Sequence, residues 1–432
     1  MKLVPRRFAL RTAAALALAT LAVGALASGS ASAVASNQTR TYRNVAACSN
    51  PHQLSWATCF ALRRQTVMSG RAVGFGLKTR FDSLQVNGTA GFGATALRKA
   101  YGIRALGSRA NVIAIIDATH SASAFDDVSE YRKTFGLPQL TNCTLRAAVK
   151  QGLPSGKNSC FIQLDQNGLA ATGSTTQNGG WAQETALDLE MASATCPKCS
   201  LLLVEGSTAS FESLTSAVTI ATDFVGVRSI SNSYGGSDVA PESFGAYAIA
   251  AANGIAVTAS SGDSGFGVEA PAAFDGVVAV GGTSLKVDAS GAWLDETVWA
   301  GSGSGCSNLN SKPTWQAYAN TACAGKVTAD VAAVADPATG VSVYFNGGWY
   351  VFGGTSASAP LIAGLYALKN DFGASAGDYT AANSISLHDI TVGTNAISAA
   401  AKRACRVAIW CNAAPGFDGP SGFGTPFGTD AF

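Results

Sequence analysis

The chain has 432 residues, enough for one large α/β domain or two ordinary ones. Charged residues make up only 13% against 47% apolar, with 48 glycines, which excludes a disordered tail and suits a large core joined by tight turns. A net charge of +2 gives no electrostatic case for nucleic acid or an anionic membrane surface as partner.

Residues 1–33 read as an export signal. Arg6, Arg7 and Arg11 form a positive start, an Ala/Leu run follows from about Ala13 to Ala27, and Ala31-Ser32-Ala33 offers a small-residue cleavage site. The run is broken by Gly24 and Gly29 and has no stop-transfer charge, which argues against a membrane anchor. The expected location is therefore secreted, extracellular. Ten cysteines agree with an oxidising compartment. They fall into five sequence-local couples, Cys48 with Cys59, Cys143 with Cys160, Cys196 with Cys199, Cys306 with Cys323, and Cys405 with Cys411, and local closure is the simplest pairing. Cys196-Pro-Lys-Cys199 has redox or metal motif as an alternative, but zinc would require a second such pair or nearby histidines.

Residues 34 to about 90 are mixed and polar, with no clear period. From Ala94 the pattern changes. Ala94 to Tyr101 reads as helix, and Asn111 to Ile116 is an apolar, β-branched run ending at Asp117, as a buried parallel strand requires. Ser129 to Phe135 and Trp181 to Ala194 read as helices, with Ser200 to Val204 as the next buried strand. Ser213 to Thr222 is helical, and Val227 to Ser231 is a short strand before Asn232-Ser-Tyr-Gly-Gly236. A helix covers about Phe244 to Asn253, followed by strands at Ile255 to Ala259 and Val277 to Val280. Strand and helix in alternation predict an α/β fold whose predominantly parallel sheet is covered on both faces. Functional loops then gather beyond the carboxyl ends of the strands, where the glycine-rich segments 260–267 and 353–360 fall.

The sharpest segment is Gly353-Gly-Thr-Ser-Ala-Ser-Ala-Pro360, ahead of the apolar run Leu361 to Leu368. Small residues around Ser356 let a substrate carbonyl approach, and a helix beginning there points its free amides at the reaction centre. Such a setting favours a serine nucleophile and a developing oxyanion. The plain structural alternative is a Gly/Ser loop capping a core helix. Only three histidines exist: His52, His120 and His388. None opens a helix in a His-Gly-Thr-His setting. The corresponding place holds Gly180-Trp-Ala-Gln-Glu-Thr-Ala-Leu-Asp188, whose Glu184 and Asp188 share one helical face with Cβ atoms about 5–6 Å apart. Like charges at that spacing raise a pKa and share a proton, so Glu184 can act as base with Asp188 as its partner. On a solvated face such a pair would be ordinary, but its flanks here are apolar and hold no basic residue. In Ala259-Ser-Ser-Gly-Asp-Ser-Gly265, Asp263 sits in a glycine-framed turn where a protonated carboxyl can donate to an oxyanion, unless it only closes an Asx-turn. Gly-Asp-Ser-Gly around Ser264 also resembles the chymotrypsin nucleophile segment, which the α/β pattern opposes.

Over roughly residues 94–432 the sequence resembles the sedolisin, or serine-carboxyl peptidase, family, which has a subtilisin-like fold. The resemblance rests on Glu184 and Asp188 in E-x-x-x-D, Asp263 in S-S-G-D-S-G and Ser356 in G-T-S-A-S-A-P. It implies a serine-type endopeptidase in which Glu184 is the general base, Asp188 its partner, Asp263 the oxyanion acid and Ser356 the nucleophile forming an acyl-enzyme. Acid activity follows from the need for a protonated Asp263. The resemblance also implies one structural calcium ion, Ca2+, held by Asp389, Ile390, Ala414, Gly416 and Asp418 through two carboxylates and main-chain carbonyls. Ala414 stands where the family has glycine, so its carbonyl can serve only if the backbone there needs no positive φ. Asp117, at the end of the first strand, occupies the subtilisin triad-aspartate position and reads as a structural or cleft carboxylate.

The expected organisation is 1–33 signal peptide, 34–93 N-terminal extension or reduced pro-region, and 94–432 peptidase domain. The expected partners are protein or peptide substrates, with the chain a monomer. Two other readings are a conventional subtilisin-type protease that recruits His120 or His388, and a catalytically inactive secreted binding protein on the same scaffold.

Overall fold

A run such as Val112–Ala118, buried along its whole length, can exist only as a strand covered on both sides. Alternation decides which side each residue serves. Ile113, Ile115, Leu201 and Leu203 enter one core with Leu187, Leu189, Ile362 and Leu365. Val112, Ala114, Ile116, Leu202 and Val204 enter the other with Leu214, Val218 and Tyr247. The helices Gly179–Thr195 and Thr355–Lys369 therefore cover one face, and Phe211–Asp223 and Ala246–Ala252 cover the other.

The computed structural model describes residues 41–432 except 52, 54, 69–70, 74–90, 146–151, 173–178, 241–244, 318, 370–372 and 374. The export signal expected over residues 1–33 lies outside the described residues, as do His52 and the start of the predicted helix at Phe244. The central sheet has nine strands. In spatial order these are Trp293–Val298, Val277–Val287, Ala256–Ser260, Val227–Asn232, Val112–Ala118, Ser200–Gly206, Cys160–Asp165 and Thr141–Asn142, with Val331–Val334 also paired to Val277–Val287. Only Trp293–Val298 runs antiparallel to its neighbour. The fold is α/β and subtilisin-like, with a predominantly parallel sheet between helical layers.

Three segments differ from the sequence reading. The helix expected from Ser129 starts at Ala124, where Asp126 and Asp127 occupy its first turn and favour the positive end of the helix dipole. The strand expected at Val277 to Val280 continues to Val287, because its second half finds a new partner in Trp293–Val298. The unpatterned N-terminal region contains Thr41–Ala46 and Leu62–Met68, an antiparallel pair. Leu62–Met68 then joins the hairpin of Gly348–Gly353 and Val341–Phe345. Charged and polar residues dominate these strands because they form a separate antiparallel sheet, not the buried parallel one.

All five cysteine couples close as disulfides in the sequence-local pairing. Cys196 and Cys199 are bonded to each other, which removes them as metal ligands, and both are fully buried, as suits a loop clamp after the helix Gly179–Thr195. Among the described residues no helix is long and apolar enough to cross a membrane.

Candidate active site

Ser356 lies in the first turn of the helix Thr355–Lys369, which starts one residue before the predicted position. Gly354 makes the approach possible. Its φ of +94° is left-handed, and a Cβ there would stand 1.8 Å from the carbonyl oxygen of Phe60 and 2.5 Å from Asp263 Oδ2. The turn thus brings a peptide carbonyl, a carboxyl and the serine to one place.

The Ser356 side chain is fully buried and its single proton has two acceptors in view. Oγ lies 3.3 Å from the Ser233 carbonyl oxygen, and the hydroxyl also serves as a hydrogen-bond partner that lowers the pKa of Glu184. Glu184 is nonetheless pushed well above the usual carboxylate range, first by burial and then by the neighbouring charge of Asp117. Asp188 is raised for the same reasons, burial first, then Asp117 and Glu184. Asp117 is pushed up to about 7 by burial, with the nearby Thr185 hydroxyl acting in the lowering direction. Three carboxyls enclosed together cannot all ionise, so this cluster holds shared protons across the acid range. The helical spacing of Glu184 and Asp188 does bring them together, and Asp117 joins them as a third member that sequence reasoning had set apart.

Asp263 meets the same helix at Thr355. Its Oδ1 accepts from the Thr355 amide at 2.7 Å and the Thr355 hydroxyl at 2.9 Å. Its Oδ2 is shut off from solvent and has no hydrogen-bond partner. Burial pushes this carboxyl up to about 7, with both Thr355 bonds pulling down. The proton, when present, belongs on Oδ2, the oxygen beside the Phe60 carbonyl. Nearby Glu269 is enclosed as well and pushed up to about 8 by burial and by Asp263.

Neither structurally described histidine partners Ser356. His120 Nδ1 pairs with Glu205 Oε2 at 2.8 Å, and His388 is stacked on Trp293 with ring centroids 3.8 Å apart. The base of a conventional triad is therefore not supplied by either. Ser264 is exposed and belongs to an α/β fold, which removes the chymotrypsin reading.

At the C-terminal end, Asp389 Oδ2 accepts from the Gly416 amide at 3.0 Å, and Asp418 Oδ2 accepts from the Ala414 amide at 2.9 Å. Ala414 is not among the residues with positive φ, so its carbonyl is available without strain, whereas Gly416 has φ +80°. Burial, with a smaller contribution from Asp389, pushes Asp418 up to about 7. Two carboxylates converging on one turn, with the carbonyls of Ile390, Ala414 and Gly416 close in sequence, form a hard oxygen donor set that fits calcium. No cluster of three or more His, Cys, Asp or Glu side chains capable of holding a metal occurs among the described residues. Any ion here would therefore depend on main-chain oxygen and water.

Sequence reasoning missed the contributions of Ser233 and Thr355. Ser233 lies in the segment Asn232-Ser-Tyr-Gly-Gly236, whose glycines had marked it only as a loop after a strand. In the fold, Tyr234–Ser237 is a short strand along the site. No local pattern announces a carbonyl such as that of Ser233 as a partner for a serine 123 positions away.

No family model matches the chain. Kumamolisin of Bacillus sp. (strain MN-32) is 37% identical over 281 residues, covering 57% of this chain and 49% of its own length. Sedolisin of Pseudomonas sp. (strain 101) is 30% identical over 211 residues, 41% of this chain and 34% of its own. The chain thus spans half or less of the length of these curated relatives. Among solved structures, Pseudomonas sedolisin, a serine-carboxyl proteinase complexed with two molecules of pseudo-iodotyrostatin, superposes with a TM-score of 0.63 at 23% identity. That alignment covers 79% of this chain and 96% of the other, and it bears on the fold.

Proposed function

The chain belongs to the sedolisin family, on a subtilisin-like fold, and from that premise we propose that it is a serine-carboxyl endopeptidase acting on proteins or peptides in acid. The observation that carries the reading is the buried Ser356 hydroxyl beside the buried Glu184, whose pKa it lowers against the effect of burial. In acid an imidazole is protonated, whereas carboxyls that share protons let Glu184 accept from Ser356 while Asp188 or Asp117 carries the proton.

Glu184, ionised when its own proton has passed to Asp188, takes the Ser356 proton as Oγ attacks the substrate carbonyl carbon, and the negative charge moves to the substrate oxygen. The oxyanion forms between the Ser356 amide, at the start of its helix, and the protonated Oδ2 of Asp263. Glu184 then delivers its proton to the leaving amine, and water repeats the sequence on the acyl-enzyme. Asp117 acts through the pair as a positioning and charge-sharing residue.

The proposal extends to the whole chain. Residues 1–33 direct export, 34–93 form an extension or reduced pro-region, and 94–432 form the peptidase domain, working as a monomer. The Arg-led start, the apolar run and the five disulfides support an exported protein. One structural calcium ion at Asp389, Ile390, Ala414, Gly416 and Asp418 would neutralise two facing carboxylates. The test is turnover of a denatured protein at pH about 4, where wild type should cleave and Ser356→Ala should not. Full activity in that variant would remove the proposal.

A further inference from the structure

The strand that crosses the site belongs to the chain itself. Thr58–Cys59 pairs antiparallel with Tyr234–Ser237, Cys59 opposite Tyr234 and Thr58 opposite Gly235. The Phe60 amide donates to the Ser233 carbonyl at 3.3 Å. Downstream, Leu62 pairs with Gly353 and Arg63 with Phe352. The Phe60 carbonyl oxygen lies against Gly354, on the side where Asp263 Oδ2 also lies. The Ala61 amide nitrogen donates to Glu184 Oε2 at 2.7 Å. The Phe60 ring rests on Gly235, where an added Cβ would meet Phe60 Cζ at 2.7 Å and Glu269 Oε2 at 2.9 Å.

Each of these contacts is one that a bound peptide would make at a scissile bond. The carbonyl sits at the oxyanion acid, the following nitrogen sits on the base, and extended backbone pairs with the enzyme on both sides. Resting on the serine-carboxyl reading above, we propose that Phe60–Ala61 is the reactive peptide bond of a built-in inhibitor loop, cut by the chain's own Ser356 and held in place after the cut.

The second half of that statement follows from how the loop is closed. Cys59, one residue before the bond, is bridged to Cys48. The Ala47 amide donates to the Ala61 carbonyl at 2.8 Å, and Ala46 pairs with Leu62 at the base of the antiparallel strands Thr41–Ala46 and Leu62–Met68. When Ser356 Oγ bonds to the Phe60 carbon, the bond to Ala61 nitrogen breaks. The serine proton passes through Glu184 to that nitrogen, leaving a Phe60 acyl-serine and an Ala61 amine. The amine stays beside the ester, fixed by Ala46, Ala47 and Gly353. It can attack the ester and restore the peptide with return of the proton to Ser356. Water can also hydrolyse the ester, giving a free Phe60 carboxyl and a nicked chain whose two pieces stay paired. A tethered amine at high effective concentration outcompetes water, so the loop is a slow substrate and a persistent occupant.

The experiment follows the chain termini and the turnover of an added peptide together. Full-length wild type, Ser356→Ala, Phe60→Asp and the double variant Cys48→Ser/Cys59→Ser are held at acid pH and their termini read by mass spectrometry. Wild type should reach a partial cut between Phe60 and Ala61, with both pieces co-eluting in native gel filtration, and Ser356→Ala should stay intact. Purified nicked protein should regain some intact chain. Phe60→Asp, which sets a carboxylate against Glu269, and the disulfide variant should both hydrolyse an added peptide about tenfold faster than wild type. A wild type that cleaves the added peptide, keeps Phe60–Ala61 whole and is no slower than either loop variant would overturn the inhibitor loop and leave the peptidase reading standing. Failure of all four proteins to cut either bond or peptide would overturn both.

Discussion

Thr355 donates twice to a single oxygen of Asp263, from its amide at 2.7 Å and its hydroxyl at 2.9 Å, and so decides which oxygen of that carboxyl keeps the proton. Oδ1 is committed as acceptor, which leaves Oδ2 to donate towards the carbonyl beside Gly354. A carboxyl held at about 7 supplies that donor only below neutrality. Asp263→Asn carries an amide donor at every pH. Its peptide turnover should therefore fall less than that of wild type between pH 5 and pH 8, while Asp263→Ala should lose about 10²–10³ in kcat. Parallel pH–rate profiles of the three proteins check this, and an unchanged alkaline limb in Asp263→Asn would assign that limb to another group.

Glu184 and Ser356 act on one proton, so their removal should not add. Ser356→Ala and Glu184→Gln should each lower kcat by about 10⁴ or more, and the double variant should be no worse than Ser356→Ala alone. Single-turnover kinetics on a quenched peptide measures all three. A double variant whose loss equals the two single losses combined would show that Glu184 works independently of the serine.

How far the sequence carries depends on whether a function is local. The apolar run ending at Asp117 and the helix over Trp181 to Ala194 impose their own strand and helix, and the four proposed reactive groups sit in short motifs on elements of that kind. The disulfides were legible because each couple is close in sequence. Contacts that depend on chain crossing were not. Nothing in the unpatterned stretch around Phe60 marks it for a site built from residues 184, 233, 263 and 356, because its partners are supplied by other elements. Asp117 was visible at a strand end, but its role depends on side chains contributed by the neighbouring helix.

Burial of protonated carboxyls also sets how stability varies with pH. Asp117, Asp263 and Glu269 have pKa values raised to about 7, 7 and 8 from ordinary values of 3.8, 3.8 and 4.5. The native state therefore binds these protons more tightly than the unfolded chain does. Their stabilisation is complete below about pH 4 and is lost as the pH rises through 7 to 8. Thermal unfolding of Ser356→Ala, which avoids self-digestion, should give a Tm at least about 5 °C lower at pH 8 than at pH 5. Asp263→Asn in that background should flatten the slope. A Tm that rises from pH 5 to pH 8 would contradict the buried protons.

The proposed calcium site gives a test that needs no catalysis. Two carboxylates, Asp389 and Asp418, face one turn, and their mutual charge contributes to the raised pKa of Asp418. An ion that binds only the folded chain stabilises it by mass action, by about 2.7 kcal/mol at a hundredfold excess over Kd. Removing calcium with a chelator at pH 6 should lower the Tm of Ser356→Ala, and restoring calcium, but not magnesium, should recover it, since magnesium demands near-ideal octahedral geometry at shorter distances and gives up its water reluctantly. Asp418→Asn should have the lower Tm from the outset and show a much smaller response to chelation. It also removes an acceptor for the Ser421 amide and hydroxyl, at 2.9 and 2.8 Å, so part of its loss is independent of metal. The response to calcium, measured as the difference between loaded and chelated protein, separates the two effects. An equal response in Asp418→Asn and its parent would place the ion elsewhere.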